Sequence, residues 1–119
     1  VRFSAICRMA LASASCGVPV NSYFQPTRIL SGKGVAFDRE CLIFEVCQPE
    51  QAKKVLDENM SVSTALPCRI SIYEEGGKTI LASLKPTTLL ALFHTPQLEN
   101  VAQEVENTLV KIMKEAASG

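Results

Sequence analysis

PCRISIYEEGGKTILASL, residues 67–84, decides the fold. Two strand-like runs flank Gly76-Gly77, a pair free to take the positive φ angles of a tight hairpin turn. On the first run Cys68, Ile70 and Ile72 share one face, while Arg69, Ser71, Tyr73 and Glu75 share the other. On the returning run Ile80, Ala82 and Leu84 are expected to continue the apolar face, with Leu81 on the opposite side.

Just upstream, ECLIFEVC (40–47) alternates in the same way. Leu42, Phe44 and Val46 form the better core face, and Cys41, Ile43, Glu45 and Cys47 form a half-polar one. Pro49 suits the first position of a helix, with Glu50 near its positive end. Ala52, Val55, Leu56 and Met60 then recur at helical spacing, while Lys53 and Lys54 face water. Downstream, Pro86 opens a short helix, PTTLLALF, and Pro96 opens a long one behind Thr95 as cap. In the long helix Leu98, Val101, Ala102, Val105, Leu109, Ile112, Met113 and Ala116 make one apolar stripe. Glu99 early, and Lys111 and Lys114 late, suit the helix dipole.

The order strand, helix, hairpin, helix, helix predicts an α+β two-layer sandwich: a small, mostly antiparallel sheet with helices on one face. The other face carries Glu45, Arg69, Ser71 and Tyr73 together with Ile43 and Leu81. That mixture calls for a cover, either a second subunit or the N-terminal segment folded back.

The chain has 119 residues, 47% hydrophobic and 20% charged, which is ordinary composition for one globular domain. Twelve basic and twelve acidic residues cancel, so no net field draws nucleic acid or anionic lipid. No apolar run approaches the ~18 residues of a membrane span. Five cysteines, an odd number without a C-x-x-C pair, favour reduced thiols and a cytoplasmic protein over a disulfide framework. With a single histidine, His94, no metal-ligand spacing is present, and neither a metal nor another cofactor is expected.

Residues 1–33 stand apart from residues 34–119, which form the α+β domain. Asp38 is the first acidic residue, whereas Arg2, Arg8, Arg28 and Lys33 precede it. Two readings stay open for the start: a targeting segment over residues 1–20, which would mean export, or a misplaced start that replaced the domain's true beginning.

FEVCQPEQAKKVL and STALPCRISIYEEGGKTILASLKPTTLLALF resemble the domain-of-unknown-function family 302. Cys47-Gln48-Pro49 with Ala52, Leu66-Pro67-Cys68, Tyr73-Glu74, the Lys85-Pro86 helix start and the C-terminal helix carry the likeness. It covers about residues 34–119. The resemblance implies a small bacterial or archaeal protein with a strand–helix–four-strand–helix layout that dimerises, and no assigned activity. Residues 1–33 depart from the family pattern, which puts the first strand and first helix in doubt.

Two sets of side chains are candidates for chemistry or binding. Cys47 precedes a helix N-terminus, where partial positive charge lowers a thiol's pKa, so iodoacetamide should label it faster than the other cysteines. It meets Cys68 at one sheet end if their strands are antiparallel and in register, and lies at the opposite end if they are parallel. Glu45, Arg69 and Tyr73 share a sheet face, where Arg69 offers a fixed charge to a small anionic or polar ligand. No residue is assigned a catalytic role. The expected function is a non-catalytic homodimer binding a small ligand or a partner through its open sheet face. The alternative is thiol or sulfur chemistry at Cys47 with Cys68.

Overall fold

The structure, a computed structural model, describes residues 3–118. Four strands, β1 (Val20–Phe24), β2 (Cys41–Val46), β3 (Cys68–Glu75) and β4 (Lys78–Ala82), form an antiparallel sheet in the order β1-β2-β3-β4. Helices α1 (Phe3–Ser15), α2 (Pro26–Gly32), α3 (Pro49–Glu58), α4 (Pro86–Ala91) and α5 (Glu99–Ser118) complete the chain, with 3-10 turns at Met60–Ala65 and Pro96–Leu98. The result is the expected α+β sandwich. Among the described residues no helix is long and apolar enough to cross a membrane.

The alternation in β2 and β3 produces the buried layer. Leu42, Phe44 and Val46 face the helices beside Ile70 and Ile72, and all five are almost fully buried. Leu109, Ile112 and Ala116 of α5 close over them, which is the apolar stripe read from the sequence. A second cluster joins Val55, Val62, Leu90, Leu98, Val101 and Ala102 further along α5.

Among the described residues, 3–33 show no break in packing from the rest. Met9, Ala12 and Val18 sit in the same cluster as Leu42 and Ile70. The first helix and strand, which the departure from the family pattern puts in doubt, are both present. Small residues in α1 let it lie close against α5, where the Ser15 hydroxyl donates to Glu115 Oε2 at 2.7 Å. Arg8 Nε donates to the Ala116 carbonyl at 2.8 Å and so satisfies an end of α5. That contact takes the place expected for Lys111 and Lys114, because α5 runs on to Ser118 and has no basic residue in its last turn. Since α1 joins the helical layer and β1 extends the sheet edge, neither folds back over the open face. α2 packs beside β2 with no buried side chain.

Three local expectations are corrected. Gly76 and Gly77 both take positive φ, and the two-residue turn pairs Glu75 with Lys78. That pairing sets Leu81 opposite Ile72 on the core face, and Ile80 opposite Tyr73 on the open face. The apolar positions on β4 are therefore exchanged between faces. Second, α3 ends at Glu58 because Asn59 becomes extended and its side chain accepts from Ser61 N–H, starting the 3-10 turn. Met60 is thereby 69% exposed, and Val62 fills the core instead. Third, the Thr95 side chain caps no helix N–H. Its hydroxyl donates to the Phe93 carbonyl and accepts from Asn59 Nδ2.

Candidate functional site

β2 ends at Val46, and Cys47 N–H bonds to the Pro19 carbonyl before the chain turns into α3. The strict alternation stops there, so Cys47 leaves the open face to which the pattern assigned it. β2 and β3 are antiparallel, with Val46 directly opposite Cys68. The condition for the two thiols to share one sheet end is therefore met.

Both cysteines line an apolar cavity of about 140 Å³ at that end. Val18, Val46 and Cys68 form its floor, and Leu89, Leu90, Leu109 and Ile112 come from α4 and α5. Gln48, Gln51, Ala52 and Val55 of α3 and its entry, with Ala65, Leu66 and Pro67, make the remaining wall. Alanine at positions 52 and 65 leaves space that a larger core residue would fill. Polar groups are few: Gln51 Nε2 donates to Glu104 Oε2 at 2.9 Å, while its buried Oε1 has no hydrogen-bond partner.

Burial, rather than the helix terminus, governs the thiols. Desolvation pushes the Cys47 thiol above its ordinary 9.0. Cys68 is raised first by burial and then by the neighbouring Cys47 charge. Both are neutral thiols at pH 7, contrary to the lowered pKa expected of Cys47. Rapid labelling of Cys47 is thus not favoured. Among the described residues no group of three or more His, Cys, Asp and Glu gathers at metal-binding distance.

The second candidate set is divided. Glu45 and Arg69 face each other across β2 and β3, with Arg69 Nε 3.7 Å from Glu45 Oε2. Glu45 Oε1 also accepts from the Ser22 hydroxyl. Tyr73 lies four residues further along β3, about 13 Å away, beside Cys41 and Ile80. These three side chains do not converge. Arg69 touches the cavity rim, and its carbonyl accepts from the Ser83 hydroxyl at 2.6 Å. Its guanidinium is on the other sheet face with Glu45 and supplies the cavity with no charge.

A wider depression of about 500 Å³ lies between α4 and the start of α5. His94, Pro96, Glu99 and Gln103 on its border are exposed, so it is an open groove rather than an enclosed site. His94 is a loop residue there, with φ of 50°.

A family model described as a domain of unknown function, DUF302, matches residues 4–116. The chain belongs to the DUF302 family. A crystal structure of an uncharacterised conserved DUF302 protein from Bacillus stearothermophilus is similar to this DUF302 chain at 33% identity and a TM-score of 0.88. The match covers 94% of this chain and 88% of that one. No curated protein matches.

Membership extends to residues 4–33, which the sequence resemblance did not include. Most of the residues that carry that resemblance share a location, although Pro49, Tyr73, Glu74 and Lys85 lie outside it. Cys47, Gln48, Ala52, Leu66, Pro67, Cys68 and Pro86 all line the cavity. Gln51, Val55, Thr108 and Leu109 also line it, and of these sequence reasoning had named only Val55 and Leu109, as core-facing helix positions.

Proposed function

We propose that this DUF302 chain is a non-catalytic binding protein that holds a small, uncharged, apolar molecule in the cavity at the Cys47–Cys68 end of its sheet. One observation carries the reading: Cys47-Gln48 with Ala52, Leu66-Pro67-Cys68 and Pro86, three of the separate stretches that carry the family resemblance, meet around one apolar cavity, although they come from different elements. Its volume is close to that of an engineered cavity known to admit benzene, ~150 Å³. This reading puts the binding site on the helical side of the sheet rather than on the open face. The rival reading, nucleophilic thiol chemistry, is weakened by burial, which holds both sulfurs protonated near neutral pH.

Calorimetric titration with toluene tests the reading. Saturable binding of one molecule per chain is expected, and Ala52→Phe should abolish it by filling the cavity while circular dichroism stays unchanged. Absence of saturable binding, or undiminished binding to the folded Ala52→Phe variant, would overturn it.

The open sheet face supports a second, compatible reading: assembly into a homodimer. Phe24 is 46% exposed there, and Ile43, Tyr73, Ile80 and Ala82 are only half-buried. A second copy would remove this apolar surface from water and surround the Glu45–Arg69 pair.

A further inference from the structure

We infer that Cys47 and Cys68 form a reversible disulfide that clasps one wall of the cavity shut. The inference adds regulation to the proposed binding site and rests on that reading only for its purpose. Its basis is where the two cysteines stand in the chain. One lies two residues before the start of α3 and the other opens β3, so everything between them is a single crossover. That crossover supplies the wall made by Gln48, Gln51, Ala52, Val55, Ala65 and Leu66. A bond between the cysteines would close the wall into a ring at its base.

The geometry admits the bond. Cys68 is directly opposite Val46, and Cys47 is the next residue along. A ladder carried one residue past Val46 would set their Cα atoms about 6 Å apart, within the ~4.4–6.8 Å range that disulfides span. Both residues border the same cavity, and the Cys47 charge lies near enough to Cys68 to raise its thiol's pKa. The other cysteines are elsewhere. Cys7 lies in α1, Cys16 just beyond it beside Glu115, and Cys41 at the far end of β2 opposite Tyr73.

The oxidant is a small disulfide of the oxidised-glutathione class. One protein thiolate attacks it, forming a mixed disulfide and releasing the first small thiol. The second protein thiol displaces the other, giving Cys47–Cys68. Two electrons pass from the protein sulfurs to the small disulfide, and the two protons end on the released thiols. Burial makes the attacking thiolate scarce, so the clasp closes slowly. The same destabilisation of thiolate favours the disulfide once formed. These properties suit a lasting latch rather than a fast sensor.

The test uses the full chain with Cys7, Cys16 and Cys41 replaced by serine, so that every thiol signal comes from the pair. After incubation with oxidised glutathione, the protein should lose two hydrogens in mass and retain no glutathione. Dithiothreitol should restore the original mass. Hydrogen exchange across residues 48–67 should slow at least tenfold in the oxidised form. Cys68→Ser should instead trap a glutathione adduct on Cys47. The wild-type chain should show the same Cys47–Cys68 cross-link by peptide mapping. Stable adducts on both cysteines, bonding of either to a different cysteine in the wild type, or unchanged exchange across 48–67 would overturn the clasp. If bond and protection appear but toluene binds neither form, the binding reading falls and the clasp stands. If toluene binds and the bond does not form, the reverse holds.

Discussion

The two faces of the sheet are written by the same strands yet have opposite fates. On the helical side Leu42, Phe44, Val46, Ile70 and Ile72 are sealed by α5 and α1. On the other side Ile43, Tyr73 and Ile80 lie among Glu45, Arg69 and Ser71 and are only half-buried. Alternation fixes which residues share a face. It does not determine what covers that face. For one face the cover is in the chain, and for the other the proposed cover is a second copy.

The largest effect should come from deleting equal volumes on the two sides. Ile70 is fully buried, so Ile70→Ala removes packed atoms and leaves a cavity, costing about 2–5 kcal/mol. Ile43, one strand away and half-buried, should lose roughly 1 kcal/mol or less in the isolated subunit. Urea denaturation at low protein concentration measures both. Equal losses would mean that the open face is sealed within one chain, and the contrast between the faces would be lost.

Next in size is the consequence of placing a charge on the open face. Ile80→Glu adds a carboxylate beside Tyr73, where a dimer would have to bury it. Sedimentation equilibrium should show the wild type as a dimer and the variant dissociating at least tenfold more readily, with the monomer's fold intact. A wild type that is monomeric at high concentration would remove the dimer and leave the cavity reading untouched.

Much of this contrast is legible in the sequence. The alternation of 41–46 and 68–75, the Gly76-Gly77 turn and the stripe along α5 suffice for the layers. The exchange on β4 escapes because Ile80, Leu81 and Ala82 are all apolar, so composition cannot choose a face there. Counting through the two-residue turn would have done so, since Glu75 opposite Lys78 sets even positions of β3 against odd positions of β4. Residues 3–33 escape for another reason. Their small, acid-free sequence resembles a targeting segment, although small residues are also what allows α1 to approach α5 closely. The cavity is least legible. Its lining runs from Val18 to Ile112, and each lining residue taken alone reads as ordinary core or loop. Register supplies the one early hint, because antiparallel pairing of β2 with β3 is enough to bring Cys47 and Cys68 to the same end.

The smallest expected effect tests what fastens the helical cover over its face. Glu106 of α5 accepts from the Thr87 hydroxyl at 2.6 Å and from Thr87 N–H at 3.1 Å, thereby capping the start of α4. The hydroxyl bond, then the backbone bond, hold its carboxyl below its ordinary 4.5. Desolvation opposes them, and Lys85 adds a smaller lowering. The folded state thus binds this proton less readily than the unfolded chain. Its contribution is fully present above about pH 4.5 and is lost as the pH falls through the lowered folded value. Glu106→Gln keeps an acceptor but removes the charge. It should lower the melting temperature slightly at pH 7, and the gap from wild type should shrink steadily below pH 4.5. A gap that is constant from pH 7 to pH 3 would assign the difference to shape rather than charge. Because Thr87 lies at the head of α4, whose Leu89 and Leu90 line the cavity, the same loss should loosen that wall. The open sheet face has no part in this contact, so the affinity of the proposed dimer should be unchanged in Glu106→Gln.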